Sequence, residues 1–180
     1  DSKTLKSRSS IQKLGGYFNE DSHGENGGYP ILAFLEGQGS ESDPYIIDSP
    51  EKLWLLSLFS NGTNHYGNTV MSSFFCDKNF KVTADIDLNA TSEYPWIPLF
   101  SLSEKTDKFV GIFDGGGHVI SGIYTDSVKN SGLFALNSGT IKNVGIAKST
   151  IRGTNAGAIA GTNHGIIENC WNESASIEGV

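Results

Sequence analysis

Gly132-Leu-Phe-Ala-Leu-Asn-Ser-Gly-Thr-Ile-Lys-Asn-Val144 is followed in the same chain by Gly157-Ala-Ile-Ala-Gly-Thr-Asn-His-Gly-Ile-Ile-Glu-Asn-Cys170. Gly132 falls on Gly157 at a shift of 25. After one inserted residue, Gly139 falls on Gly165, Ile141 on Ile167 and Asn143 on Asn169, each at a shift of 26. The same shift carries Ile151 onto Ile177 and Gly153 onto Gly179. A self-similar period of this length is about one coil of a parallel β-helix. Strands of successive coils then stack about 4.8 Å apart, with equivalent residues directly above one another. The expected fold class is therefore all-β, a right-handed parallel β-helix (solenoid), with repeats at 132–155 and 157–180.

Stacking gives each repeated residue type a purpose. Ile141/Ile167 and Ile151/Ile177 become aliphatic stacks in the core. Asn143 and Asn169 become a ladder of side-chain amides at a corner, each donating to the next. At outward positions Lys142 meets Glu168 and Arg152 meets Glu178, opposite charges on neighbouring strands. Core and surface thus agree on one register. All-α repeats fit poorly, because the segments are short, glycine-broken and β-branched.

Upstream, residues 109–124 predict two short alternating strands around a turn at Asp114-Gly-Gly-Gly117, whose glycines supply positive φ. Phe80-Lys-Val-Thr-Ala-Asp-Ile-Asp-Leu88 predicts another alternating strand. Residues 64–180 are expected to be coils. Between 37 and 63 the sequence predicts a linker, an opening strand and a helix. Ser49-Pro50-Glu51 combines a cap residue, a first-turn proline and an early acid. Leu53, Trp54, Leu56 and Phe59 make one apolar face, and Asn61-Gly62 ends it. A short amphipathic helix here is expected to cover the open end of the first coil. Residues 1–36 do not fit the repeat and form a separate extension, with a turn into a strand at Gly27–Leu32.

Several of these segments, in this order, resemble the bacterial GLUG-repeat (glycine-rich repeat) surface proteins. They are Gly39-Ser-Glu-Ser-Asp-Pro-Tyr-Ile-Ile47, the Leu53–Phe59 helix, Asp85-Ile-Asp-Leu88, Trp96-Ile-Pro98, Phe109–Ile123 and the two glycine repeats. The resemblance covers residues 37–180, and Gly28-Tyr-Pro-Ile-Leu32 resembles the closing segment of a preceding module. Ala158 departs from the pattern, which favours a larger residue there. The resemblance implies a secreted or cell-surface bacterial protein in which such modules serve as adhesins or as stalks beside other domains, surface peptidases among them. It carries no catalytic motif to this chain.

Composition narrows the field in the same direction. Of 180 residues 22 are glycine and 37% are hydrophobic, which predicts many turns and a thin core. The net charge of −7 is scattered, with no basic stripe for nucleic acid and no apolar run for membrane insertion. Cys76 and Cys170 are too few for a disulfide framework.

Each chemical motif has a plainer reading beside it. Asp85, Asp87 and Asn89 have the alternate spacing of a calcium loop but lack its glycine and its closing glutamate, so a structural role at a strand end is expected. Asp114 and Asp126 are candidates for acid and base in a polysaccharide-cleaving site. Yet Asp114 lies in a glycine turn, where aspartate commonly bonds its own backbone. His23, His65, His118 and His164 are isolated, and no zinc motif, nucleophile elbow or phosphate loop occurs. Trp54 and Trp96 are expected to pack in the core. Trp171 and Tyr124 are the expected ligand contacts, because an exposed ring face suits a sugar.

The expectation is thus a non-catalytic adhesion or structural stalk module needing no cofactor. The alternatives are a lectin-like carbohydrate-binding module, an accessory spacer domain of a surface peptidase, and a polysaccharide-cleaving β-helix enzyme. The expected partner is a host glycan or a host surface or matrix protein. Head-to-tail self-association is also expected, because a coil open at Val180 complements the module-closing segment within residues 1–32.

Overall fold

A computed structural model of the protein describes residues 18–19, 31–32, 35–61, 75–101 and 108–180. The chain divides into two compact units, Asp1–Glu36 and Gly37–Val180. In the first, β1 (Phe18–Asn19) pairs antiparallel with β2 (Ile31–Leu32). His23 and His65 lie outside the described residues.

The second unit is all-β, with parallel sheets and, among the described residues, one helix. Its opening stretch, expected as a linker, closes on itself instead. Gln38 N and Ser40 N both donate to Asp43 O, at 3.1 and 3.2 Å, and Asn79 N donates to Gly39 O at 2.8 Å. Positive φ at Gly37 and Gly39 lets the backbone turn this tightly. β3 (Tyr45–Ile47) then pairs with β4 (Phe80–Val82), which pairs with β6 (Ile112–Ser121). β5 (Ile86–Asp87) also pairs with β6. β6 pairs with β9 (Thr140–Ala147), which pairs with both β12 (Ile166–Glu168) and β13 (Trp171–Asn172). A second sheet runs β7 (Tyr124–Ser131), β10 (Thr150–Ala156), β14 (Ser176–Gly179). A third joins β8 (Phe134–Asn137) to β11 (Ala160–Asn163). Among the described residues every pairing in this unit is parallel.

The predicted register holds, but only the lower member of each expected core stack is buried: Ile141 and Ile151 are enclosed, whereas Ile167 and Ile177 are exposed on the last strands. Ile141 lies opposite Ile167, and Ile151 opposite Ile177, both at the 26-residue shift. Two columns extend further than the repeat suggested. Phe80, Phe113, Ile141 and Ile167 follow one another through β4, β6, β9 and β12. Ile86, Ile120 and Ile146 form a second column, each with 1% exposure or less. A cluster of phenylalanines fills the remaining core. Phe109 and Phe134 have ring centroids 5.2 Å apart, and Phe100 stacks on Phe134 at 6.2 Å. Column on column, apolar area is removed from water at roughly 25 cal/mol per Å².

Three sequence expectations are corrected. First, Asp114–Gly117 is not a turn between two strands. β6 runs unbroken from Ile112 to Ser121, and its register with β9 changes from Asp114↔Lys142 to His118↔Val144. The glycines absorb two extra residues as a bulge, with φ of 62° at Gly116 and 84° at Gly117. Both flanks already pair with the same strand, so the chain bulges without reversing. Second, Lys142 lies in register with Glu168, yet its Nζ is 3.9 Å from Asp114 Oδ2 on the opposite neighbour. Arg152 and Glu178 do meet, at 2.9 Å. Third, the buried face of the helix α1 (Pro50–Ser60) is partly polar. Leu53 and Leu56 are buried as expected, while Trp54 and Phe59 are only half-buried, and Ser57 and Ser60 are buried too. The serines hydrogen-bond the irregular segment beside them: Ser57 Oγ donates to Ile97 O, and Ser60 Oγ accepts from Phe100 N at 3.4 Å. Ser49 caps the helix by accepting from Lys52 N, as its sequence predicts.

The repeated glycines have a steric cause. Gly111, Gly139 and Gly165 lie one above the next where the backbones of successive passes come closest. A Cβ at Gly139 would lie 2.2 Å from Gly111 O, and one at Gly165 would lie 2.1 Å from Gly139 O. The same carbonyls accept Thr140 N at 2.9 Å and Ile166 N at 2.8 Å. A side chain there would break the contact that sets the spacing. Gly179 has nothing within 4 Å of its would-be Cβ and an ordinary φ. Gly139→Ala is therefore expected to destabilise the protein by about 1–3 kcal/mol or more, and Gly179→Ala by less than about 0.5 kcal/mol. Urea denaturation of the two variants against the parent chain checks the contrast.

Candidate functional site

On β5, β6, β9 and β13 side chains alternate between core and surface. Ile86, Ile120 and Ile146 point inward, so their neighbours form the outer face. Two outward rows result. Val119, Gly145 and Trp171 make one, by direct register. Asp87, Ser121 and Ala147 make the other, and Glu173 N continues it by donating to Ile146 O at 2.9 Å. Between these rows lies an open groove of about 330 Å³, whose lining includes Asp85, Asp87, Val119, Ser121, Lys148 and Glu173.

Trp171 sits beside this groove. It is 37% exposed, and its Nε1 donates to Glu173 Oε1 at 3.2 Å. Its indole occupies the space above Gly145: a Cβ there would fall 2.4 Å from Trp171 Cε2 and 2.6 Å from Nε1. The absence of a side chain at position 145 is what lets the ring lie down on the sheet. Lys148 is held at φ 45°, a left-handed conformation that disfavours any residue with a Cβ. In the preceding pass the equivalent corner is Gly122, at φ 71°.

Tyr124, the other expected ligand contact, opens β7 in the second sheet, where its carbonyl accepts Trp96 N at 2.8 Å. It therefore lies on a different sheet from Trp171. Trp96 is buried, its Nε1 on Leu133 O at 3.3 Å. Trp54 packs edge-on against it at 4.9 Å and donates to Leu88 O at 3.3 Å. Both indoles thus tie the helix and the 88–98 segment to the core.

Asp85 accepts Val119 N at 3.0 Å and approaches His118 Nδ1 at 3.2 Å. These two hydrogen bonds hold its carboxyl below the usual range. Asp87 accepts Asn89 N at 3.1 Å, and Asn89 takes a left-handed corner at φ 47°. Among the described residues no group of three or more His, Cys, Asp or Glu side chains is disposed to hold a metal ion.

Asp114 bonds its own backbone through Gly116 N at 2.9 Å and accepts Asn143 Nδ2 at 2.9 Å. Partial burial raises its pKa, but these bonds and the charges of Lys142 and Lys81 outweigh it, leaving the carboxyl below its usual range. A general acid needs the opposite shift. The amide ladder continues from Asn143 to Asn169 Nδ2 at 3.3 Å, with φ of 54° and 51° at the two residues. Two further ladders escaped the sequence reading. Asn137 Nδ2 donates to Asn163 Oδ1 at 2.7 Å, and Asn155 Nδ2 to Asn130 Oδ1 at 2.8 Å. The 26-residue shift that paired Asn143 with Asn169 also pairs Asn137 with Asn163, so that ladder carried a signal. The same shift brings Ser121, Ala147 and Glu173 into one row. Cys76 is buried and Cys170 half-buried, and both remain thiols.

No family model matches the chain. Among curated proteins, 153 residues align at 34% identity with halomucin of Haloquadratum walsbyi, covering 79% of this chain and 2% of that protein. A further 147-residue alignment at 26% identity is with a protein of Evansella cellulosilytica provisionally named a Gly-rich membrane protein, covering 76% of this chain and 15% of that one. The chain thus spans only a small part of either relative. Among solved structures, a Bacteroides ovatus protein provisionally described as an immunoglobulin A1 protease superposes with a TM-score of 0.58 at 21% identity, over 77% of this chain and 40% of its own. At that identity the likeness is one of fold. No helix among the described residues is long and apolar enough to cross a membrane.

The two depressed carboxyls make stability depend on acid. A pKa lower in the folded than in the unfolded chain adds stability above the unfolded value of about 3.9. That contribution disappears as pH falls through the folded value. The parent chain is therefore expected to lose stability as pH falls below about 4, and a chain with Asp85→Asn and Asp114→Asn to lose less. Thermal melting followed from neutral pH into acid compares the two slopes.

Proposed function

We propose that residues 37–180 are a non-catalytic adhesion or stalk module of a larger secreted or cell-surface protein, folded as a right-handed parallel β-helix of the GLUG-repeat type. The observation that carries this reading is the register. From β6 onward all three sheets repeat at shifts of about 25 to 28 residues, and like residues stack on like through the core, the corner ladders and the glycine column. Such stacking makes a rod that is stiff along its axis and presents long, regular faces. Those properties suit display and contact at a surface. The short coverage of halomucin and of the Gly-rich protein is what one module of a longer array would give. The polar groups noticed in the sequence support a scaffold as well, since Asp85, Asp87, Asp114, Asn143 and Asn169 all hydrogen-bond within the fold.

A second reading has one observation in its favour. The fold likeness to part of the Bacteroides ovatus protein suits an accessory spacer beside a peptidase domain. Displaying the chain on beads or on a non-adherent cell separates the two. Under flow, retention on immobilised host glycans, matrix or mucosal proteins is expected for an adhesion module. Uniform absence of retention by the folded chain would leave the spacer.

A further inference from the structure

We infer that the groove bounded by Asp87, Ser121, Lys148 and Glu173, together with the exposed indole of Trp171 that is hydrogen-bonded to Glu173, is a binding subsite for a neutral saccharide. This rests on the adhesion reading above and adds the chemical class of ligand.

Four features converge there. The first is an exposed flat ring. The negative face of an indole attracts the polarised C–H bonds on one side of a pyranose, and its apolar area is largest among side chains. The ring is preorganised, because Gly145 leaves it a seat and Glu173 fixes its N–H. The second is polar lining. Carboxylates, a hydroxyl and an ammonium supply acceptors and donors for sugar hydroxyls beside the ring, the usual mixture of a small-molecule site. The third is charge. Asp85, Asp87 and Glu173 give three negative groups against the single Lys148, so the groove repels uronates and sialylated chains. A neutral sugar escapes that penalty.

The fourth is Lys148 itself. Its corner is occupied by glycine in the preceding pass, and a lysine at φ 45° is strained. A lysine in this conformation places a cation at a corner where glycine would be unstrained. Lys148 lines the groove, and its backbone N–H is held by Ser174 Oγ at 2.9 Å.

Oligosaccharides of mannan, dextran and galactan, with oligogalacturonate as the acidic control, test the inference on the full chain by tryptophan fluorescence and calorimetry. Binding of at least one neutral oligosaccharide is expected, with oligogalacturonate at least tenfold weaker. Trp171→Ala should weaken that binding tenfold or more, and Trp171→Phe only a few-fold. Gly145→Ala, which pushes the indole off its seat, should weaken it with Trp171 still present. Lys148→Gly should melt at a higher temperature and bind less well. Circular dichroism confirms that each variant is folded. No binding of any neutral probe, binding indifferent to Trp171, or preference for the acidic control overturns the inference. So does calcium alone giving the same fluorescence change, which would reassign the groove to a cation. Absence of binding to every neutral oligosaccharide, with the parent chain still retained on matrix proteins under flow, would reject the subsite while leaving the adhesion reading intact.

Discussion

Parallel strands in this protein sit directly above their counterparts from the pass before, with main chains joined by hydrogen bonds about 4.8 Å apart. That spacing leaves no freedom to choose neighbours. In the later passes a side chain meets whatever lies about 26 residues before it and 26 residues after. Where two passes touch backbone to backbone, only glycine fits, and Gly111, Gly139 and Gly165 meet that demand in succession. An inward side chain must tolerate a copy of itself overhead, which favours Ile on Ile and Phe on Phe. Where the chain turns a corner with positive φ, asparagine both accepts the conformation and binds the asparagine above it, as Asn143 and Asn169 do. Core and corners are consequences of one distance.

The departures from regularity are informative because the constraint is so strict. Earlier passes are longer than later ones: β3 and β4 pair at a shift of 35 residues, β4 and β6 at 33, β9 and β12 at 26. The extra length goes into the helix, the 88–101 segment and the glycine bulge of β6. Ser57, Ser60, Trp54 and Asn61 then hydrogen-bond segment 88–101, whose irregular backbone would otherwise bury unpaired polar groups. The buried serines of the helix are thus the complement of an irregular neighbour.

The groove shows how such a scaffold acquires a site. Nothing in it requires a departure from the stacking rule. Asp87, Ser121, Ala147 and Glu173 share one outward row, and their differences in size and charge shape the surface while the Ile column beneath remains constant. Small residues in the middle passes, Ser121, Gly145 and Ala147, leave room between larger ones at either side. Function on a fold of this kind comes from breaking the identity of outward residues while keeping that of inward ones.

Much of this was legible in the residues alone. The 26-residue shift, the Ile141/Ile167 and Ile151/Ile177 pairs, the Asn143/Asn169 ladder and the Arg152–Glu178 pair follow from self-similarity, because stacking converts a repeat in one dimension into contact in three. The helix start was legible for a local reason, since Ser49 and Pro50 act within one turn. The bulge at Gly115–Gly117 was not, because a glycine run marks positive φ without saying whether the chain reverses; that depends on both flanks pairing with β9. The ion partner of Lys142 was not either, since register offers it a carboxylate on each side and side-chain reach decides. The groove was the least legible of all. Its residues come from β5, β6 and β9 and from the segments flanking β5, β9 and β13, and differ in type, and only tertiary packing decides which outward rows stand high, which lie low, and that Trp171 rests on Gly145.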